Sequence, residues 1–269
     1  DYLLICGDIA GPIYPETKTA AYLRKLAANY KKVIWVMGNH EFFGHGTSTM
    51  DELLVRARRL AETTGTILLH NETCELVPGL RVIGTPLYIH VKGSEDALLA
   101  QLRPTDSRNF AVPDKETGTP RPITAAEFNE LGHEACRFLL REVRQCARDG
   151  VRCIVMTHYG GPMAGTRTLE ERASVYRKRR AFQALFMEPA FLEPVLEAGR
   201  GSIALWAYGH THEPVRGACW VRGVEVPIVN NPLGFPDEKA CQARFRRDLA
   251  VPVPLGRAGG EGEEGHAGE

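Results

Sequence analysis

The sequence contains no apolar run approaching the roughly 20 residues that cross a bilayer, no CxxC pair, and no excess of either charge. The first absence leaves no candidate membrane span. The second leaves the seven cysteines scattered from Cys6 to Cys241, a pattern of buried, reduced thiols in a cytoplasmic protein rather than a disulfide framework. The third, 33 basic against 33 acidic residues, argues against an extended nucleic-acid surface, which needs positive excess to displace counterions. A local basic pocket stays open. Also missing are a GxxxxGK phosphate loop and a Gly-x-Ser-x-Gly elbow, so neither P-loop phosphate binding nor serine nucleophile chemistry has its local machinery here.

What is present is ordinary globular material: 269 residues, 43% hydrophobic and 25% charged, enough for one substantial core. Residues 1–250 read as a single domain. Residues 251–269, rich in Gly, Glu and Pro, read as a flexible tail that cannot bury enough apolar surface to offset ordering entropy. The chain opens directly in the apolar run Tyr2–Cys6. A domain seldom starts inside a buried strand, so the expectation is a fold truncated at its N-terminus, with any targeting signal upstream.

Strand and helix patterns alternate. Apolar runs at Tyr2–Cys6, Val33–Met37, Val151–Met156 and Ser202–Tyr208 predict buried strands, with shorter ones near Thr66–His70 and Arg81–Gly84. Helical spacing predicts helices over Thr17–Lys32 and Met50–Glu62, a short one near Pro189–Ala198, and a long one to about Arg148 that starts at Thr124, with Glu127 completing a capping box. Tyr88–Pro122 reads as an irregular surface insertion of the kind that can form a lid over a site. Val215–Val221 and Val224–Val229 read as a hairpin turning at Arg222-Gly223. The alternation implies an α/β fold, whose ligands collect at the carboxyl ends of strands.

Four short blocks sit at such ends: Gly7-Asp8, Gly38-Asn39-His40-Glu41, Thr157-His158 and Gly209-His210-Thr211-His212. Asp8 offers a carboxylate able to bridge two cations, and Asn39 a neutral oxygen. His40 can bind metal or donate a proton, and His158 would face the same edge. In an extended stretch His210 and His212 would point to one side. Taken singly, each block has a plain structural reading: a capping Asp, an Asx-type turn, a rim histidine. Together, a carboxylate, an amide and imidazoles suit Mn, Fe or Zn rather than a cysteine-type zinc site.

At these blocks the chain resembles the calcineurin-like metallophosphoesterase superfamily, over roughly Tyr2 to Pro236. The resemblance implies a two-sheet β-sandwich flanked by helices, two divalent metal ions, and hydrolysis of a phosphomonoester or phosphodiester by a metal-bound hydroxide. It makes Asp8 the bridging carboxylate, Asn39, His158 and His210 ligands of the second ion, and His212 a ligand of the first. His40 becomes the general acid, and Glu41 has two readings, an orienting partner of His40 or a solvated loop carboxylate.

The family's opening Asp-x-His block has no counterpart here. Asp1 is no substitute, standing roughly 20 Å of strand away from Asp8. That gap motivates the alternative of a non-catalytic, metal-poor scaffold or interaction protein. Ile9-Ala10-Gly11 replaces the Asp-Arg-Gly of the Ser/Thr protein phosphatases, Tyr159 stands where many relatives carry a second histidine, and Asn230–Pro236 resembles the closing segment of smaller bacterial members. Neutral charge favours a small-molecule phosphoester as substrate. Arg167, Arg172, Arg177, Lys178, Arg179 and Arg180 could form a basic wall or a solvated helix face, and His45 could rim the cleft. Oligomeric state has no sequence signal.

Overall fold

A computed structural model describes residues 1–9, 16–43, 47–88, 109–168, 170, 171, 174 and 189–255. The expectations for His45, for Arg172 and the basic residues at 177–180, for most of the insertion after Tyr88 and for the tail beyond Leu255 fall outside these residues.

Three short parallel strands open the chain's first sheet: β1 (Tyr2–Ile5), β2 (Lys32–Trp35) and β3 (Ile67–Leu68), in that spatial order. Helices α1 (Glu16–Ala27) and α2 (Met50–Thr64) connect them. The second sheet holds β4 (Glu72–Val77), β5 (Leu80–Thr85), β8 (Arg152–Thr157), β9 (Ile203–Ala207) and the hairpin β10 (Val215–Val221) and β11 (Val224–Asn230). Its order is β10-β11-β9-β8-β5-β4, parallel through its middle and antiparallel at both edges. Between β5 and β8 lie a small hairpin, β6 (Ala111–Pro113) with β7 (Pro120–Pro122), and α3 (Ala125–Asp149). Two further helices, α4 (Pro189–Gly199) and α5 (Lys239–Arg244), precede β9 and follow β11.

Alternation along the strands assigns the faces. In and just after β2, Trp35 and Met37 enter a core with α1, α2 and an aromatic group of Phe42, Tyr88, Phe110 and Phe128. Ile34 and Val36 turn the other way and join Val82, Ile154, Met156 and Leu205 of the second sheet. Cys153, Val155 and Trp206 face a third core beneath α3 and α4. Each central strand is therefore buried on both faces, which is why these segments read as continuous apolar runs. Val251 and Val253 lie against the core that both sheets share, so the start of the Gly- and Glu-rich segment is packed. No helix among the described residues is long and apolar enough to cross a membrane.

Local signals produced local structure. Thr124 caps α3 through the Glu127 amide while the Glu127 side chain returns to the Thr124 amide. The β10–β11 turn places Arg222 and Gly223 at φ 49° and 82°, the paired left-handed residues of a two-residue hairpin. Helix α1 ends at Ala27 rather than Lys32 because the Asn29 side chain caps Lys25 and Lys32 already pairs in β2. The strand β4 and the β6–β7 hairpin were not expected.

Glu127 also receives both terminal nitrogens of Arg121, at 2.6 and 2.9 Å. These bonds, with the cap, hold its carboxyl down at about 2. The folded value lies below the unfolded one, so the stabilisation is complete above pH ~4.5 and is lost as pH falls toward 2. The pair is about one-third exposed, so screening limits the effect to about 1 kcal/mol. Glu127→Gln should therefore lower the unfolding free energy by about 1 kcal/mol at pH 7, a difference that closes by pH 2 in denaturant titrations. A pH-independent difference would contradict this assignment.

Candidate metal centre

The carboxyl ends of β1, β2, β8 and β9 meet where the two sheets abut. Asp8 follows β1 at φ 55°, and His210 and His212 follow β9 at φ 66° and 48°. Three of the six left-handed non-glycine residues among those described are thus candidate ligands. Such conformations cost on the order of 1 kcal/mol each and persist where surrounding contacts fix them.

Those contacts are visible. The Glu41 side chain is 1% exposed, and its Oε2 accepts the Asp8 amide at 2.8 Å and the Gly38 amide at 2.6 Å. Glu41 is therefore a buried carboxylate rather than a solvated loop one. It ties the loop after β1 to the loop after β2. The Asp8 carboxylate answers by accepting the His40 amide through Oδ1 at 3.1 Å. A Cβ on Gly38 would strike Asp8 Oδ1 and the His158 ring, so glycine is required for this approach. Across the site, the Asn230 side-chain amide donates to Thr211 Oγ1 and the Glu213 carbonyl, at 2.7 and 2.9 Å, and so anchors the two-histidine loop.

His158 is fully buried. Its Nδ1 lies 2.7 Å from the Cys6 carbonyl oxygen. A carbonyl can only accept, so Nδ1 carries the proton and Nε2 presents a lone pair. Burial lowers the His158 pKa, with Asp8 and the Cys6 bond opposing only in part, so a second proton on Nε2 is disfavoured. Around that lone pair stand Asn39 Oδ1 at 2.9 Å, His210 Nδ1 at 3.2 Å and Asp8 Oδ2 at 3.5 Å. Asn39 Oδ1 is in turn 3.0 Å from His210 Nδ1. Candidate ligand atoms of Asp8, His158 and His210 all fall within 4.8 Å of one another. Burial works against ionisation of Asp8, but the His158, His40 and His210 imidazoles and the His40 amide outweigh it and hold its carboxyl below the ordinary value. The His158 Nε2 lone pair, Asn39 Oδ1 and Asp8 Oδ2 therefore converge beside His210 Nδ1, and either a proton on that nitrogen or a cation relieves the repulsion among them. The donor set of imidazole, amide oxygen and carboxylate fits a borderline divalent ion.

His212 occupies a different position. The chain from Gly209 is a tight left-handed turn, with the Thr211 amide bonded to the Gly209 carbonyl, so the extended geometry expected for His210 and His212 does not hold. His210 packs on Tyr159, with ring centroids 4.5 Å apart. His212 instead meets the Phe235 ring at 4.7 Å and Glu238 Oε2 at 2.6 Å. His40 also meets Phe235, with ring centroids 5.5 Å apart, and Phe43 at 4.6 Å. Neither Phe235, Glu238 nor the Cys6 carbonyl carries a sequence signal for this role. Only the Asn230–Pro236 segment pointed toward the region. Arg167, the described member of the expected basic wall, places its guanidinium 5.3 Å over the Trp220 ring.

A family model described as calcineurin-like phosphoesterase matches residues 1–214. No curated protein matches the chain. One solved crystal structure aligns at TM-score 0.37 and 11% identity, covering 86% of this chain and 79% of that one, a likeness too slight to support any argument.

Glu41→Ala would leave two amide donors near the cluster without their charged acceptor. Unfolding free energy should fall by about 3 kcal/mol, measured by chemical denaturation. A loss below about 0.5 kcal/mol would show that Glu41 does not hold the two loops together.

Proposed function

The chain belongs to the calcineurin-like phosphoesterase family, and we propose on that footing that it is a metal-dependent hydrolase of a phosphomonoester or phosphodiester. The observation that carries the proposal is the convergence of His158 Nε2, Asn39 Oδ1, His210 Nδ1 and Asp8 Oδ2 around one buried point. The core shared by both sheets supports reading the fold as a two-sheet sandwich.

In this reading Asn39, His158 and His210 hold one divalent ion of Mn, Fe or Zn type. Asp8 would contribute to that ion and to a second one, for which His212 would be a further ligand. Such ions, when bound, generate a nucleophile from water at neutral pH and neutralise charge on phosphoryl oxygens. The chain's own residues supply the rest. Asp8 is fixed by the His40 amide on one oxygen while the other faces His158. His40 is half-buried between Phe43 and Phe235, so its imidazole can reach a substrate and deliver a proton to the leaving oxygen. A small-molecule phosphoester suits the neutral chain better than a polyanion. A metal-poor scaffold gives no reason for ligand-type atoms of Asp8, Asn39, His158 and His210 to converge, and this counts against that alternative.

The full-length protein supplied with Mn²⁺ should hydrolyse a generic aryl phosphate. His40→Ala should lower turnover by about 10²- to 10⁴-fold, and Asp8→Asn should do so at least as severely. Unchanged turnover in both variants would overturn the mechanism.

A further inference from the structure

Glu238 stands at the N-terminal end of α5, 26 residues beyond His212. Its Oε2 accepts two bonds at once: from His212 Nδ1 at 2.6 Å and from the Phe235 amide at 2.8 Å. A carboxylate at this distance accepts the imidazole proton, so Nδ1 is the protonated nitrogen and Nε2 keeps its lone pair. The carboxylate is itself held. Gly234 turns left-handed at φ 74°, and a Cβ there would come within 2.8 Å of Glu238 Oε2 and of Cys241 Sγ. Phe235, fixed through its amide, makes an edge contact with the His212 ring at 4.7 Å and also meets His40. His212 is thus gripped by a hydrogen bond at one edge and an aromatic ring on its flank, although it stands apart from the buried acceptor cluster and its backbone is strained.

We propose that Glu238 is a positioning residue for the phosphoesterase site. It fixes the tautomer and direction of His212, so that the imidazole presents Nε2 toward Asp8 and completes the more exposed of two cation positions. This role rests on the phosphoesterase reading. It also couples that position to the Phe235 wall beside His40, because one carboxylate oxygen holds both. Carboxylate partners of this kind raise ligand basicity and fix ring orientation, and their loss typically weakens metal binding by about 10- to 100-fold.

The test uses Glu238→Ala in the full chain, which removes the oxygen that both His212 Nδ1 and the Phe235 amide bond. Nitrogen-15 spectra of the metal-free protein should show His212 protonated at Nδ1, and the variant should lose that preference. Calorimetric titration with Mn²⁺ should show the weaker of two binding steps shifted about 10- to 100-fold and the tighter step unchanged. Turnover lost at limiting Mn²⁺ should return at saturating Mn²⁺. An unaltered tautomer with both steps unchanged overturns the proposal and leaves the phosphoesterase reading standing. Equal weakening of both steps with a lowered melting temperature also overturns it, since that marks a purely structural role. Absence of any Mn²⁺ binding by the unsubstituted chain overturns the phosphoesterase reading itself, and with it this role.

Discussion

The bond from His158 Nδ1 to the Cys6 carbonyl fixes the geometry on which the site depends. Cys6 follows β1 in the three-stranded sheet, and His158 follows β8 in the six-stranded one. A single buried contact of 2.7 Å therefore joins the ends of both sheets and decides which imidazole nitrogen faces inward. With Nδ1 spent on a carbonyl, Nε2 turns its lone pair into the space it shares with Asn39 Oδ1, His210 Nδ1 and Asp8 Oδ2. The apolar core beneath it makes this arrangement rigid. Ile34 and Val36 pack on Ile154 and Met156, so the strand ends cannot slide apart without exposing that surface. At about 25 cal/mol per Å² of buried apolar area, even a partial opening is costly.

Around this bond the polar groups form a connected set. Glu41 gathers the amides of Asp8 and Gly38, Asp8 takes the amide of His40, and Asn230 fixes Thr211 between the two loop histidines. The Glu41–Asp8 and Asp8–His40 bonds join the loops after β1 and β2, and the Asn230 bond joins the end of β11 to the loop after β9. That arrangement explains how strained residues such as Asp8, His210 and His212 persist at one location. Left-handed backbone and buried polar atoms both oppose folding, and a place that retains both is more characteristic of a functional site than of a stabilising core.

Much of this was legible because its causes are local. The Thr124–Glu127 capping box, the Arg222-Gly223 turn and the doubly buried strands are set by residues within a few positions of one another. Asp8, Asn39, His158 and His210 were identifiable because each directly follows an apolar run, and strand ends in such sheets share an edge. The illegible parts are tertiary. β6 and β7 contain prolines, which ordinarily mark loops. The separation of His212 from His210 arises from left-handed backbone that no residue pattern announces. Glu41 looked like any loop carboxylate, yet it is buried by the meeting of two loops. Glu238 meets His212 only because β10 and β11 return the chain to the site.

The central claim is that the buried acceptors form a cation site built on two imidazoles. X-ray absorption of the full-length protein carrying one equivalent of Zn²⁺ tests it most directly. The account predicts a first shell containing two imidazole nitrogens at about 2.0–2.1 Å together with oxygen ligands, and loss of imidazole scattering in His158→Ala. A shell of oxygens alone, or a spectrum unchanged by His158→Ala, would contradict it.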